Sequence, residues 1–139
     1  MRDNLLNRFI KYVKIDTQSD ENSETFPSTQ KQFDLAHLLV DELKELGLDD
    51  ADVDEYGYVT ATLPSNIKKQ VPVIGFLAHM DTAPDMSGTN VKPQIFENYN
   101  GEDLILDQKT NVKIAVKDFP EIKQYKGQTI ITASGDTLL

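Results

Sequence analysis

Apolar positions along this chain recur with helical spacing in its first third and with strand-like spacing afterwards. Over residues 3–14, Leu5, Leu6, Phe9, Ile10 and Val13 fall on one stripe, with Arg2, Asn7, Lys11 and Lys14 opposite. That spacing predicts an amphipathic helix. The stretch "IDTQSDENSETFPS" is polar and rich in turn formers, so it predicts a loop. A second helix reads more clearly. Phe33, Ala36, Leu39, Val40, Leu43 and Leu46 make its buried stripe. Thr29 and Gln32 have capping-box spacing just after Pro27, and Gly47 supplies the stop.

Strand signals follow. "ADVDE" and "YVTATL" flank Tyr56-Gly57 and predict a hairpin, and "SNIKKQ" is a polar turn. "VPVIGFLA", residues 71–78, is continuously apolar, which predicts a central strand buried on both faces with Pro72 near its start. Farther on, "KPQIF" and "DLILD" predict short strands joined by the turn "ENYNGE". "TNVKIAVKDFPEIKQYKG" reads as a short strand and a loop, "QTIITA" as a strand and "SGDT" as a turn. No internal repeat or low-complexity tract interrupts this order. Helices and strands so mixed predict an α/β fold, a sheet flanked by helices.

Composition narrows the picture. At 139 residues the chain is long enough for one domain with a core. No apolar run reaches the length of a membrane span, and the charges scattered through "MRDNLLNRFIKYVKID" are unlike a secretory signal. Cysteine is absent, which removes disulfides and thiolate metal sites; a metal would have to sit on His, Asp or Glu. The lack of Cys suits a cytoplasmic setting. A net charge of −9 would repel nucleic acid and anionic membranes, so neither is expected as a partner. The acidic runs around Asp16, Asp20, Glu21 and Glu24, and from Asp49 to Glu55, read as solvated loops. The closing "DTLL" is apolar and ends as if within an element, so the chain is expected to be a piece of a longer protein.

Candidate chemistry sits where the apolar run stops. On an extended strand, residues i and i+2 point to the same side, so His79 and Asp81 would project together from its C-terminal end. That end is where open α/β sheets bind ligands. The imidazole can ligate a metal, and the carboxylate can bind metal or orient the ring through its other N–H. From spacing alone, a metal role and an ordinary polar strand end weigh equally. A catalytic zinc takes three protein ligands. The other histidine, His37, lies beside the apolar stripe of the second helix and reads as a helix-flank residue with no function. Asp85 either joins the cleft at that strand end or, the reading Pro84 favours, caps or closes the turn, and Thr82 reads as a donor to Asp81 or a turn residue. "HMDT" also resembles the D-x-D-x-T motif of haloacid-dehalogenase-type phosphatases. There the first Asp is the nucleophile; here that position is His79, and no matching acid and Lys follow.

Longer stretches carry a more specific resemblance. "LLNRFIKYVKIDTQSDENSETFPSTQKQFDLAHLLVDELKELGL", "GFLAHMDTAPDMSGTNVKPQIFENYNGEDLIL" and "FPEIKQYKGQTIITASGDTLL" resemble the opening of the peptidase T family. These are tripeptide aminopeptidases related to the zinc exopeptidases that include carboxypeptidase G and the aminoacylases. The resemblance implies a mixed, largely parallel sheet flanked by helices, of zinc-exopeptidase type. It implies two zinc ions sharing an aspartate and a water, with His79 as a metal ligand and Asp81 as a catalytic residue supporting the site. The metals would lower the pKa of the water while a glutamate takes its proton.

In the family, "G-x-T-L-L" leads into "G-A-D-D-K-A-G", which carries the bridging aspartate. Residues 1–139 are thus expected to be the N-terminal part of the catalytic domain. The bridging aspartate, general base, remaining ligands and a lid domain would lie beyond Leu139, and the isolated chain is expected to be inactive. "TASGDT" departs from the family's usual "T-T-D-G-x-T". The expected substrate is a small peptide; oligomeric state is left open, a homodimer included. The alternatives are another exopeptidase or deacylase of the same superfamily, or a non-catalytic α/β binding module.

Overall fold

The computed structural model describes residues 2–139, which divide into two compact units. One comprises Thr17–Pro84; the other joins the residues up to Asp16 with Asp85–Leu139.

Helix α1 spans Arg2–Tyr12, slightly shorter than its periodicity predicts. Leu6, Ile10 and Val13 are half-buried, whereas Leu5 and Phe9 stay exposed, so only one flank of the predicted stripe is covered. Helix α2 spans Gln32–Glu45 and packs on the hairpin formed by β1 (Asp52–Val53) and β2 (Val59–Thr60). Leu35, Ala36, Val40 and Ala51 are buried in this unit. The predicted stop is realised as a Schellman motif. Gly47 adopts φ +88°, its N–H donates to the Lys44 carbonyl at 2.9 Å, and Leu48 N–H donates to the Leu43 carbonyl at 3.1 Å. The predicted capping box does not form at the N-terminus. Thr29 Oγ1 donates to the Gln18 carbonyl, and the Gln32 side chain reaches back to the hydroxyls of Ser28 and Thr29. Asp54 closes the hairpin by accepting the N–H groups of Tyr56 and Tyr58 at 3.0 and 2.8 Å, with Gly57 at φ +84°.

In the other unit, β3 (Gln94–Phe96) pairs antiparallel with β6 (Ile130–Thr132). β4 (Leu104–Asp107) pairs antiparallel with β5 (Val112–Ile114), and a 3-10 turn covers Pro120–Tyr125. The predicted strands at "KPQIF" and "DLILD" therefore exist, but each pairs with a later strand. Tyr99, in the turn between them, is buried. Its N–H donates to the Gln128 carbonyl, its carbonyl accepts Gly127 N–H, and its hydroxyl donates to the Glu102 carbonyl. Asp103 ties β4 to β5. It accepts from Lys113 Nζ and Val116 N–H, each at 2.8 Å, and the Lys113 hydrogen bond foremost holds its carboxyl below the usual range.

These elements place the chain in the α/β class. Every strand pair formed among the described residues is antiparallel, and the only parallel pairing is the isolated bridge Gln18↔Thr82. The largest departure from the sequence reading lies at residues 71–78. They pair with no strand among the described residues, and Val73, Ile74, Phe76 and Leu77 are 99, 76, 95 and 99% exposed. The physical reason is that a buried strand is a property of its neighbours. The apolar run qualifies for a sheet interior, yet no described strand offers it a ladder.

Candidate functional site

His79 and Asp81 follow directly on the exposed run. Their side chains meet, His79 Nδ1 lying 3.3 Å from Asp81 Oδ1. The i, i+2 alternation of an extended backbone brings them to one side, as the spacing predicts. The setting differs from the one predicted. The imidazole is 85% exposed and the carboxylate 46%, so the pair stands in solvent at the end of an uncovered segment. At that distance the contact is a long hydrogen bond, and water screens it. With Nδ1 turned to the carboxylate, Nε2 is the nitrogen left for a ligand.

What fixes the pair is the backbone just after it. Thr82 N–H donates to the Thr17 carbonyl at 3.2 Å, and the Thr82 carbonyl accepts from Ser19 N–H at 2.9 Å and Ser19 Oγ at 3.0 Å. Buried Thr17 adds its own hydroxyl, which donates to the Met80 carbonyl at 2.8 Å. Gln18 Nε2 reaches the Pro84 carbonyl at 3.3 Å, and Thr29 holds the Gln18 carbonyl from the other side. Thr17, Gln18 and Ser19 thus clamp residues 80–84, and Asp81 lies between two clamped residues. Composition predicts only a loop for this stretch. Its signal was there: three consecutive side chains, Thr17, Gln18 and Ser19, each carrying a donor suited to backbone carbonyls.

The remaining candidates separate. Thr82 does not donate to Asp81; its Oγ1 is buried without a hydrogen-bond partner among the described residues. Asp85 lies exposed in the turn with Pro84. His37 is exposed on α2 and stacks on Phe33, ring centroids 5.8 Å apart, one turn earlier on the same helix face. Among the described residues no group of three or more His, Asp or Glu side chains is placed to hold a metal ion. No helix among them is long and apolar enough to cross a membrane.

The clamp makes a measurable prediction. Thr17→Val keeps the shape of the buried side chain but removes the donor to Met80. It is expected to cost about 1–2 kcal/mol of stability and to speed amide exchange at Ser19 and Thr82. Thr17→Ser is expected to restore both. Hydrogen exchange by NMR checks this; unchanged exchange in the Val variant would refute the clamp.

No family model matches the chain. Individual relatives do. It is 62% identical to a peptidase T of Halothermothrix orenii over 97% of its length, 60% identical to one of Alkaliphilus oremlandii over 98%, and 58% identical to one of Listeria welshimeri over all of it. The chain spans about one third of the length of these curated relatives, 33–34% in each case. The chain is thus similar, over 97–100% of its own length, to about one third of a peptidase T.

Proposed function

We propose that residues 1–139 form the N-terminal part of the catalytic domain of a zinc-dependent tripeptide aminopeptidase, one that acts on small peptides in the cytoplasm. The near-complete coverage of the chain by proteins named peptidase T carries this reading. In it, His79 contributes a metal ligand and Asp81 a carboxylate that orients it, supported by Thr17 and Ser19. The bridging aspartate, the general base and a lid domain belong to polypeptide outside these residues. So do the strands that would place 71–78 inside a largely parallel sheet of zinc-exopeptidase type. A net charge of −9 weighs against nucleic acid as a partner.

The donor set present here does not by itself fit a zinc centre. One imidazole and one half-exposed carboxylate fall short of the three protein ligands a catalytic zinc takes. The experiment is to compare the chain alone with the chain fused to the remaining two thirds of the Halothermothrix orenii relative. The fused protein is expected to hydrolyse tripeptides and to lose that activity to a chelator. The chain alone, supplied with zinc, is expected to leave them intact. Chelator-sensitive hydrolysis by the chain alone, or a folded fusion that cleaves no tripeptide, would overturn the reading.

A further inference from the structure

Thr17 differs from the other clamp residues in where its two hydrogen bonds fall. Its hydroxyl donates to the Met80 carbonyl at 2.8 Å, and its own carbonyl accepts the Thr82 N–H at 3.2 Å. The Met80 carbonyl belongs to the peptide group just before the Cα of Asp81. The Thr82 N–H belongs to the peptide group just after it. We infer that Thr17 is a positioning residue for the Asp81 carboxylate, holding from one side both peptide planes between which Asp81 is hung.

Peptide groups are planar, so the soft backbone torsions at Asp81 are its φ and ψ alone. The first turns the residue against the plane before it, the second against the plane after it. With both planes tied to one residue, the two torsions lose their freedom together, and the direction of the Asp81 Cα–Cβ bond is set. The carboxylate is 46% exposed, so packing does little to aim it, and its backbone must.

Burial makes the hold firm. Thr17 is only 3% exposed, and its hydroxyl would be left unsatisfied if it released Met80. Ser19 and Gln18 act farther along, on the carbonyls of Thr82 and Pro84, and neither carbonyl belongs to a peptide group of Asp81. His79 lacks such a bracket. No hydrogen bond among the described residues engages the peptide group between His79 and Met80, and its ring meets the Asp81 carboxylate at 3.3 Å. Order therefore passes from Thr17 to Asp81, and from Asp81 to the imidazole. The consequence for catalysis rests on the aminopeptidase reading above; the bracket itself does not. In that reading a carboxylate that is poorly aimed lets the imidazole turn, which lowers turnover more than substrate capture.

Two measurements test this. In the 139-residue chain, NMR relaxation is expected to give the Asp81 amide an order parameter of about 0.85, above that of His79, and Thr17→Val is expected to lower it below about 0.6. Thr17→Ser keeps the donor and is expected to restore it. In the fused protein, Thr17→Val is expected to lower kcat for tripeptides about tenfold with KM within about twofold, and Thr17→Ser to recover kcat to within about threefold. Asp81→Ala leaves no carboxylate to aim, so adding Thr17→Val to it is expected to cost less than about twofold more. A Thr17 that only stabilises the fold would cost the same in both backgrounds. An Asp81 amide no more ordered than that of His79 in the unaltered chain would overturn the inference, and that comparison stands even where Thr17→Val does not fold. An order parameter untouched by Thr17→Val, or a full tenfold loss that persists without the Asp81 carboxylate, would overturn it too. A fused protein that cleaves no tripeptide overturns the aminopeptidase reading instead, and the order parameters then decide the role of Thr17 by themselves.

Discussion

In the fused protein, His79→Ala is expected to lower kcat/KM for tripeptides by at least about 1,000-fold and to lower the zinc content, because a catalytic metal with one ligand removed is held too weakly to work. Asp81→Asn is expected to behave differently. The amide keeps the size of the carboxylate and an acceptor oxygen facing Nδ1, 3.3 Å away in the chain as it stands. The metal is then expected to remain while the imidazole loses basicity and a fixed orientation. The loss of kcat/KM should be about 10–100-fold, the usual size for a partner that acts through a ligand. Steady-state kinetics beside metal analysis of the purified variants separates the two roles. Equal losses of activity and zinc in both variants would make Asp81 a ligand in its own right. An active His79→Ala protein would remove the motif from the site altogether.

The contrast between His79 and its surroundings explains how much could be read from the sequence. A helix is stabilised largely by its own residues, so the apolar stripe and Gly47 located α2 and its end correctly. The Tyr56-Gly57 turn did the same for its hairpin, since Asp54, Tyr56 and Tyr58 close it locally. The i, i+2 relation of His79 and Asp81 is also local, and the two side chains do meet. What depended on remote partners was harder to read. β3 finds β6 across some thirty residues, and nothing in "KPQIF" names that partner in advance. Residues 71–78 carry the composition of a sheet centre, but composition cannot supply the neighbouring strands. The capping-box pattern at Thr29 failed for a similar reason: the hydroxyl was claimed by Gln18, eleven residues away, in a clamp that a local pattern does not encode.

Gly135→Ala is expected to be the most destabilising single-methyl change in the chain, at about 2–4 kcal/mol. Two penalties add there. Gly135 adopts φ +89°, a left-handed backbone that costs an alanine about 1–2 kcal/mol. A methyl group built on it would also lie 2.5 Å from Val112 Cγ1 and 3.3 Å from Val112 Cβ. Val112 belongs to β5, and a β-branched side chain has little rotamer freedom with which to yield. Relief must come from shifting the β4–β5 pair or the "SGDT" turn, where the Ser134 hydroxyl is already bound to the Asp136 carboxylate. Gly47 separates the two penalties. Its φ of +88° is nearly the same, but nothing lies within 4 Å of its would-be methyl group. Gly47→Ala should therefore cost only the backbone share, about 1 kcal/mol. Adding Val112→Ala to Gly135→Ala removes the collision and leaves the backbone share, so the pair should be less destabilising than the two changes summed. Urea unfolding of the four proteins measures all of this. If Gly135→Ala costs no more than Gly47→Ala, the close approach of Val112 has no energetic weight, and β5 is looser against the turn than its position implies.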